Sequence, residues 1–279
     1  MRRARWILVP CLVSALLTLC SAPAHAQRSR GGDDNDRWLD RCRDDRSNDR
    51  NRDRYCEVRE KTIPATRVLD VDGGQNGGIS VHAWDRDEIR VSARIQTWSE
   101  DDGDARSIAD QITIQVRDGR VRTEGPSARR RQSWSVSYDV YAPRRTDLRL
   151  NAQNGGLSVE EIEGRMDLGT VNGGLSLRRV AGDVRAETTN GGLTVELDGD
   201  RWRGAGLDAR TTNGGVQLDI PRDYSARLET GTVNGSMNID FPVTVQGSIG
   251  RRITTQLGSG GPSIRAITTN GGVRIRQYQ

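Results

Sequence analysis

From residue 62 onward, apolar and polar residues alternate with the period of a β-strand. The clearest stretches are Val68-Leu69-Asp70-Val71, Ile79-Ser80-Val81 and Ile89-Arg90-Val91-Ser92-Ala93. Further strands are expected over 112–116, 120–123 and 134–141, separated by the breaks Asp118-Gly119 and Gly125-Pro126. Helical spacing is nearly absent. Residues 107–110 fit a short turn of helix or a loop equally well.

Beyond residue 148 the alternation becomes a repeat. An Asn-Gly-Gly triplet begins at Asn76, Asn154, Asn172, Asn190, Asn213 and Asn270, with Asn234-Gly235-Ser236 as a near copy. The steps from Asn154 to Asn172 and from Asn172 to Asn190 are both 18 residues, and a fixed period marks a repeat architecture. Directly after the triplet comes one apolar column: Leu157, Leu175, Leu193, Val216, Met237 and Val273. Two residues on comes a second: Val159, Leu177, Val195, Leu218, Ile239 and Ile275. Ser158, Ser176, Thr194, Gln217, Asn238 and Arg274 lie between them, and the strand period sends these to solvent.

A second strand fills each period, at Met166-Asp167-Leu168, Val184-Arg185-Ala186, Leu207-Asp208-Ala209 and Ala226-Arg227-Leu228, with Gly164 and Gly182 at a second corner. Two strands and two corners in 18 residues describe one coil of a solenoid stacking on the coil before it. The longer steps to Asn213 and Asn234 place extra residues at the second corner, around Arg201-Trp202-Arg203 and Pro221-Arg222. Asn-Gly is also a hairpin signal. A meander, however, has no reason to restart the same strand every 18 residues. The seven asparagines are therefore read as structural corners, with glycine supplying a positive φ and the amides bonding from coil to coil.

The first residues change the picture of location. Arg2, Arg3 and Arg5 precede an apolar run from Trp6 to Leu19 and an Ala24-His25-Ala26 cleavage pattern, the layout of an export signal over 1–26. The run is too short for a membrane span, which needs about 20 apolar residues. No later stretch is a better candidate, so no transmembrane span is expected after cleavage. Leu19 before Cys20 argues against lipidation there. Net charge is +4; without the three signal arginines it is 4 − 3 = +1. The clusters Arg129 to Arg131, Arg144-Arg145 and Arg251-Arg252 lack interleaved aromatics, so no nucleic acid partner is expected.

Residues 27–61 form a charged segment, in which only Trp38, Leu39, Tyr55 and Val58 are sizeable apolar anchors. Such a composition predicts a mostly disordered tether or spacer. Its Cys42 and Cys56 are the only cysteines left after signal removal, and in an exported chain they pair most simply as a disulfide. Residues 62–279 are the repeat domain, an all-β unit. Hydrophobic content of 34% and a single Phe exclude a thick core, while 32 glycines suit a chain that turns often.

The export signal, the strand-rich first half and the series QNGGIS, QNGGLS, VNGGLS, TNGGLT, TNGGVQ and TNGGVR resemble the bacterial putative adhesin family, domain of unknown function 4097. The resemblance spans roughly 62–279. It implies a right-handed, single-stranded β-solenoid or β-roll with about 18-residue coils in an exported or envelope protein, and no set of catalytic residues. Segment 99–133 departs from the regular repeats, which predicts an irregular coil or cap in the N-terminal portion.

Candidate chemistry is sparse. His82 is the single mature histidine, which removes His-rich metal sites, and a surface strand position suits it better than a serine triad. Glu160, Arg178, Glu196 and Asp219 share one position after the triplet, and their mixed signs indicate cross-coil ion pairs rather than a catalytic acid pair. The triplets lack the aspartates of calcium-binding nonapeptide repeats. Thr188-Thr189, Thr211-Thr212 and Thr268-Thr269 would stack as a threonine face of the kind that orders water in ice-binding solenoids; charged neighbours argue against that use.

The expectation is a non-catalytic envelope protein, periplasmic or on the cell surface, without cofactor or metal. It would present a repetitive surface to an envelope polymer or surface protein, and self-associate, if at all, through its end coils. The outward rows and the insertion Arg201, Trp202 and Arg203 are the candidate ligand surface. A polysaccharide lyase or hydrolase on the same scaffold is the alternative.

Overall fold

The computed structural model describes residues 30–44, 53–100, 104–127, 132–242 and 250–278. The expected signal at 1–26, Cys20 and the cluster Arg129 to Arg131 lie outside them. In chain order the N-terminal part holds α1 (Arg30–Asp44), β1 (Asp53–Pro64), β2 (Val68–Asp72), β3 (Ile79–Trp84), β4 (Glu88–Ser99), α2 (Asp104–Asp110), β5 (Thr113–Arg117), β6 (Arg120–Glu124) and β7 (Gln132–Pro143). The regular body follows as strand pairs: β8 (Asp147–Asn154) with β9 (Leu157–Glu160), β10 (Glu163–Asn172) with β11 (Leu175–Arg178), β12 (Ala181–Asn190) with β13 (Leu193–Glu196), and β14 (Gly206–Asn213) with β15 (Val216–Pro221). The last elements are β16 (Ala226–Asn234), β17 (Met237–Ile239), β18 (Arg252–Leu257), β19 (Ser263–Asn270) and β20 (Val273–Tyr278).

These strands make two ten-stranded sheets. Each pair in the body crosses from one sheet to the other at an Asn-Gly-Gly corner and stacks in parallel register on the next pair. Leu175 pairs with Leu157 on one side and Leu193 on the other, and Asn172 pairs with Asn154 and Asn190. Parallel in-register pairing is the solenoid arrangement, because an antiparallel meander cannot place identical residues side by side.

The two apolar columns meet in the narrow space between the sheets. Val159, Leu177, Val195, Leu218 and Ile275 are fully buried, and Leu157, Leu175, Leu193, Val216 and Val273 nearly so. Burying each such side chain stabilises by about 1.5–3 kcal/mol. Met237 and Ile239 are only half-buried, because β17 is the last strand of its sheet and nothing stacks beyond it among the described residues. On the opposite wall Leu228 pairs with Ile264, not where the expected alignment of Ala226 with Leu207 would put it. The slip is two residues, which keeps the same face inward.

Chain order and spatial order differ at both ends, which corrects the expectation that each coil stacks on the one before it. The final pair β19–β20 lies between β14–β15 and β16–β17, and β6–β7 lies outside β2–β3, which itself adjoins β8–β9. One outward row of the second sheet accounts for this order. Along paired neighbours it reads Arg120, Asp70, Arg149, Asp167, Arg185, Asp208, Arg265, Glu229, alternating in sign throughout. Stacking in chain order would set Arg120 beside Arg149 and Asp208 beside Glu229. Opposite charges on neighbouring strands stabilise by roughly 0.2–1 kcal/mol each and like charges cost similar amounts, so the row favours the interleaved order.

The segment expected to stay disordered carries α1 and β1 among its described residues. Composition misses this because the order comes from backbone pairing and a covalent link. All twelve residues of β1 pair antiparallel with β4. Cys42 on α1 is disulfide-bonded to Cys56 on β1. Buried Asn35 donates to Glu60 (2.7 Å) and Ser92 (3.1 Å) and accepts from Arg94 (3.0 Å). Segment 99–133 supplies the cap: α2 buries Ala105, Ile108 and Ala109. Arg59 reaches the carbonyl oxygens of Ile112 and Ala109, and Lys61 that of Val116, so the β1 side chains close the gap between the sheets.

Candidate ligand-binding face

The corners come first, because they decide which surfaces are free. The asparagine side chains form a ladder along the stack. Asn154 donates to Asn76 (3.2 Å), Asn172 to Asn154 (2.7 Å), Asn190 to Asn172 (2.7 Å), Asn213 to Asn190 (2.9 Å), Asn270 to Asn213 (2.8 Å) and Asn234 to Asn270 (2.8 Å). The glycine after each Asn is required by close approach, and the expected positive φ occurs at Gly77 and Gly271 only. A Cβ on Gly173 would stand 2.1 Å from the carbonyl oxygen of Gly155, and one on Gly191 2.0 Å from that of Gly173.

At five of the seven ladder positions the threonine two residues before the asparagine faces inward. Thr170, Thr188, Thr211, Thr268 and Thr232 are buried, and each donates at 2.8 Å to a corner glycine carbonyl of the adjoining coil. Only the second residue points out, so the expected double threonine face is a single mixed row of Thr189, Thr212 and Thr269 with Val171 and Val233. An open trough of about 580 Å³ runs beside it.

In the insertion, Arg201 and Arg203 are exposed but Trp202 is 3% exposed and donates its Nε1 hydrogen to the Gly182 carbonyl at 2.9 Å. The indole plugs a corner of the core and is not part of the surface. A Trp between two arginines in an irregular loop has no periodicity from which its direction could be read.

The outer face of the first sheet is the richest surface. One row is Ser80, Ser158, Ser176, Thr194 and Gln217, in register across five strands. Two residues along, the next row is His82, Glu160, Arg178, Glu196, Asp219 and Arg276. Its carboxylates are held by guanidinium groups. Arg179, at a positive-φ corner, bonds Glu160 (2.5 Å), Glu161 (3.1 Å) and Glu196 (3.1 Å). Arg178 pairs with Glu196 (3.4 Å), and Arg276 binds Asp219 twice (2.8 and 3.0 Å). Hydrogen bonds from Arg144 and then Arg179 hold the Glu161 carboxyl below its usual range. For Asp219 burial acts in the opposite direction, but Arg276 and Gln217 outweigh it and the shift is downward.

At the head of this face, three strands bring together groups that are distant in sequence. The His82 ring lies 3.4 Å from Asp139 and 3.3 Å from Glu160, and Asp139 is bound by Arg94 at 2.7 Å. The facing Asp139 carboxylate raises the His82 pKa despite burial. Tyr141 packs against His82 with ring centres 5.3 Å apart, and its hydroxyl is 3.5 Å from Asp34 of α1. The Arg90 guanidinium lies 4.6 Å from the Tyr141 ring centre and 5.3 Å from that of Trp84, while Arg86 lies 4.9 Å from Trp84. Alternation showed that Arg90 points outward. Its stacking partners depend on the β4–β7 register and were missed.

Among the described residues, no group of three or more His, Cys, Asp or Glu is placed to hold a metal ion, and no helix is long and apolar enough to cross a membrane.

Comparison with known proteins adds the following. The family model described as Toastrack DUF4097 matches residues 75–276. No curated protein matches the chain. Among solved structures the chain is similar to a putative cell adhesion protein from Clostridium sporogenes, at 10% identity and a TM-score of 0.45, over 80% of this chain and 100% of that one. It is also similar to a putative adhesin from Bacteroides fragilis (10% identity, TM-score 0.32, 80% and 97% covered). A putative lipid binding protein from Parabacteroides distasonis is comparable (11% identity, TM-score 0.32, 80% and 97% covered).

Proposed function

The chain belongs to the Toastrack DUF4097 family, and from that premise we propose a non-catalytic envelope protein that uses its repetitive face to bind a surface polymer or protein. The scaffold is read as a right-handed solenoid of about 18-residue coils. The observation that carries the proposal is the in-register hydroxyl row Ser80, Ser158, Ser176 and Thr194. It repeats one hydrogen-bonding group per strand at the inter-strand spacing of about 4.8 Å. A polymer with its own short repeat can engage several such groups at once, so weak contacts add along the chain.

The arginine-held carboxylates favour binding over glycoside cleavage. A general acid for that reaction needs a raised pKa, whereas Glu161 and Asp219 are shifted down. Export, to the periplasm or the cell surface, is supported by the signal-like first residues and by the Cys42–Cys56 disulfide, a bond that persists in oxidising compartments. A glycan array run alongside a reducing-sugar assay tests the function. Retention without turnover is expected, and turnover without stable retention overturns the proposal.

A further inference from the structure

We infer that the head of the first sheet's outer face is a subsite for a sugar carboxylate, with Arg90 as its anchor and Trp84 and Tyr141 as its walls. The inference rests on the binding role proposed above and names the class of polymer: a linear polysaccharide containing uronic acid residues.

Arg90 differs from the ion-paired arginines of this face, and from Arg274, which also has no ion pair among the described residues but is exposed and has no buried nitrogen. Arg94, Arg178, Arg179 and Arg276 each hold a carboxylate. Arg90 forms no ion pair among the described residues, and its register neighbours are Tyr141 and Thr62, neither of which is acidic. Its Nε is buried without a hydrogen-bond partner. Arg265 Nε and Asp139 Oδ1 share that condition, but each lies within ion-pair distance of an opposite charge, Glu229 at 3.5 Å and His82 at 3.4 Å. The Arg90 Nε is closed to solvent, so an arriving anion would meet the terminal nitrogens and supply the charge partner that Arg90 lacks. Stacking on aromatic faces leaves the planar edge of the guanidinium free for a bidentate carboxylate.

The surroundings select the rest of the ligand. Asp34, Asp139 and Glu160 lie around Tyr141 and His82, so Arg90 is the one unpaired cation at this head and takes one carboxylate of the chain. The Ser80, Ser158, Ser176 and Thr194 row begins one strand from Tyr141 and leads away along the stack. Hydroxyls at strand spacing match a polyhydroxylated chain held at one end by its acid.

The test titrates the full chain by calorimetry with oligogalacturonate, with its carboxyl-reduced neutral counterpart, and with a glycerol-phosphate polymer. Wild type is expected to prefer oligogalacturonate. Arg90→Gln should weaken it on the order of ten- to a hundred-fold, the worth of a charge-assisted hydrogen bond. Arg90→Lys should give an intermediate loss, and Arg227→Gln on the opposite sheet none. Thermal melting confirms that each variant folds, and Arg90→Lys serves if Arg90→Gln does not. Equal affinity in a folded Arg90 variant overturns the inference, as does equal binding of the neutral polymer or preference for the phosphate polymer. If wild type retains other glycans on the array but not oligogalacturonate, this inference falls while the general binding role stands. If no polymer or surface protein is retained, both fall.

Discussion

Asn270 donates its side-chain amide to Oδ1 of Asn213, 57 residues earlier, at 2.8 Å. The bond places the last coil directly on β14–β15, ahead of the coil that precedes it in the chain, because Asn234 then donates to Asn270 at 2.8 Å. The ladder is therefore continuous through the interleaved order.

Arg265 is the charge that this order depends on. It lies 3.9 Å from Asp208 and 3.5 Å from Glu229. Arg265→Glu should lower unfolding free energy by about 1–2 kcal/mol, two cross-strand pairs changing sign. Adding Glu229→Arg should restore part of it, because one of the two pairs regains opposite charges while Asp208 keeps its place beside Arg185. Chemical denaturation of the three proteins checks this, and an unaffected single mutant would remove charge as a determinant of coil order.

Leu175 is buried between Leu157 and Leu193. Leu175→Asp should unfold the repeat region cooperatively, since an unpaired charge would enter the core. Ser176→Asp, one residue away on the solvent face, should shift stability by less than about 0.5 kcal/mol. Thermal melting followed by circular dichroism separates the two, and a wild-type transition in the first would refute the column assignment.

At the corner, close approach should matter more than the amide ladder. Asn172→Ala removes two exposed hydrogen bonds, each worth roughly 0.5–1.5 kcal/mol. Gly173→Ala drives a Cβ against the Gly155 carbonyl in a place where backbone meets backbone. It should be the more damaging of the pair by denaturant midpoint; the reverse ranking would mean that the corner can relax.

His82 and the carboxylates should move stability with pH in opposite directions. The folded pKa of His82 is raised above its ordinary 6.5. Its contribution is therefore fully present below that value and lost as pH rises through the folded pKa. Glu161 and Asp219 are lowered from 4.5 and 3.8, so their contributions hold above those values and fade as pH falls through the folded ones. The difference in denaturation midpoint between wild type and His82→Gln should shrink from pH 6 toward pH 9. A difference that grows over that range would reverse the assignment.

Much of the architecture was legible residue by residue. Leu157 through Leu218 could be placed inward, and Ser158 through Gln217 outward, because strand alternation is a local property that survives any choice of neighbour. The disulfide partners were legible because, outside the expected signal at 1–26, the sequence holds only Cys42 and Cys56. Trp202 was not legible, since a loop carries no period. Neither was the order of α1 and β1: their few apolar anchors cannot announce a twelve-residue backbone ladder with β4. The cluster of Arg90, Tyr141 and His82 also needed the β3–β7–β4 register to exist.

Alternation and the spacing of the asparagines were thus enough to establish a stacked all-β repeat with scaffold corners, because both act within a single coil. The sequence of coils along the axis, and with it the unpaired Arg90 between two rings, emerged only in three dimensions. Backbone hydrogen bonds in a parallel ladder are nearly indifferent to which coil is the neighbour. The choice among neighbours falls to long-range contacts such as those of Arg265, whose partners in the chain lie tens of residues away.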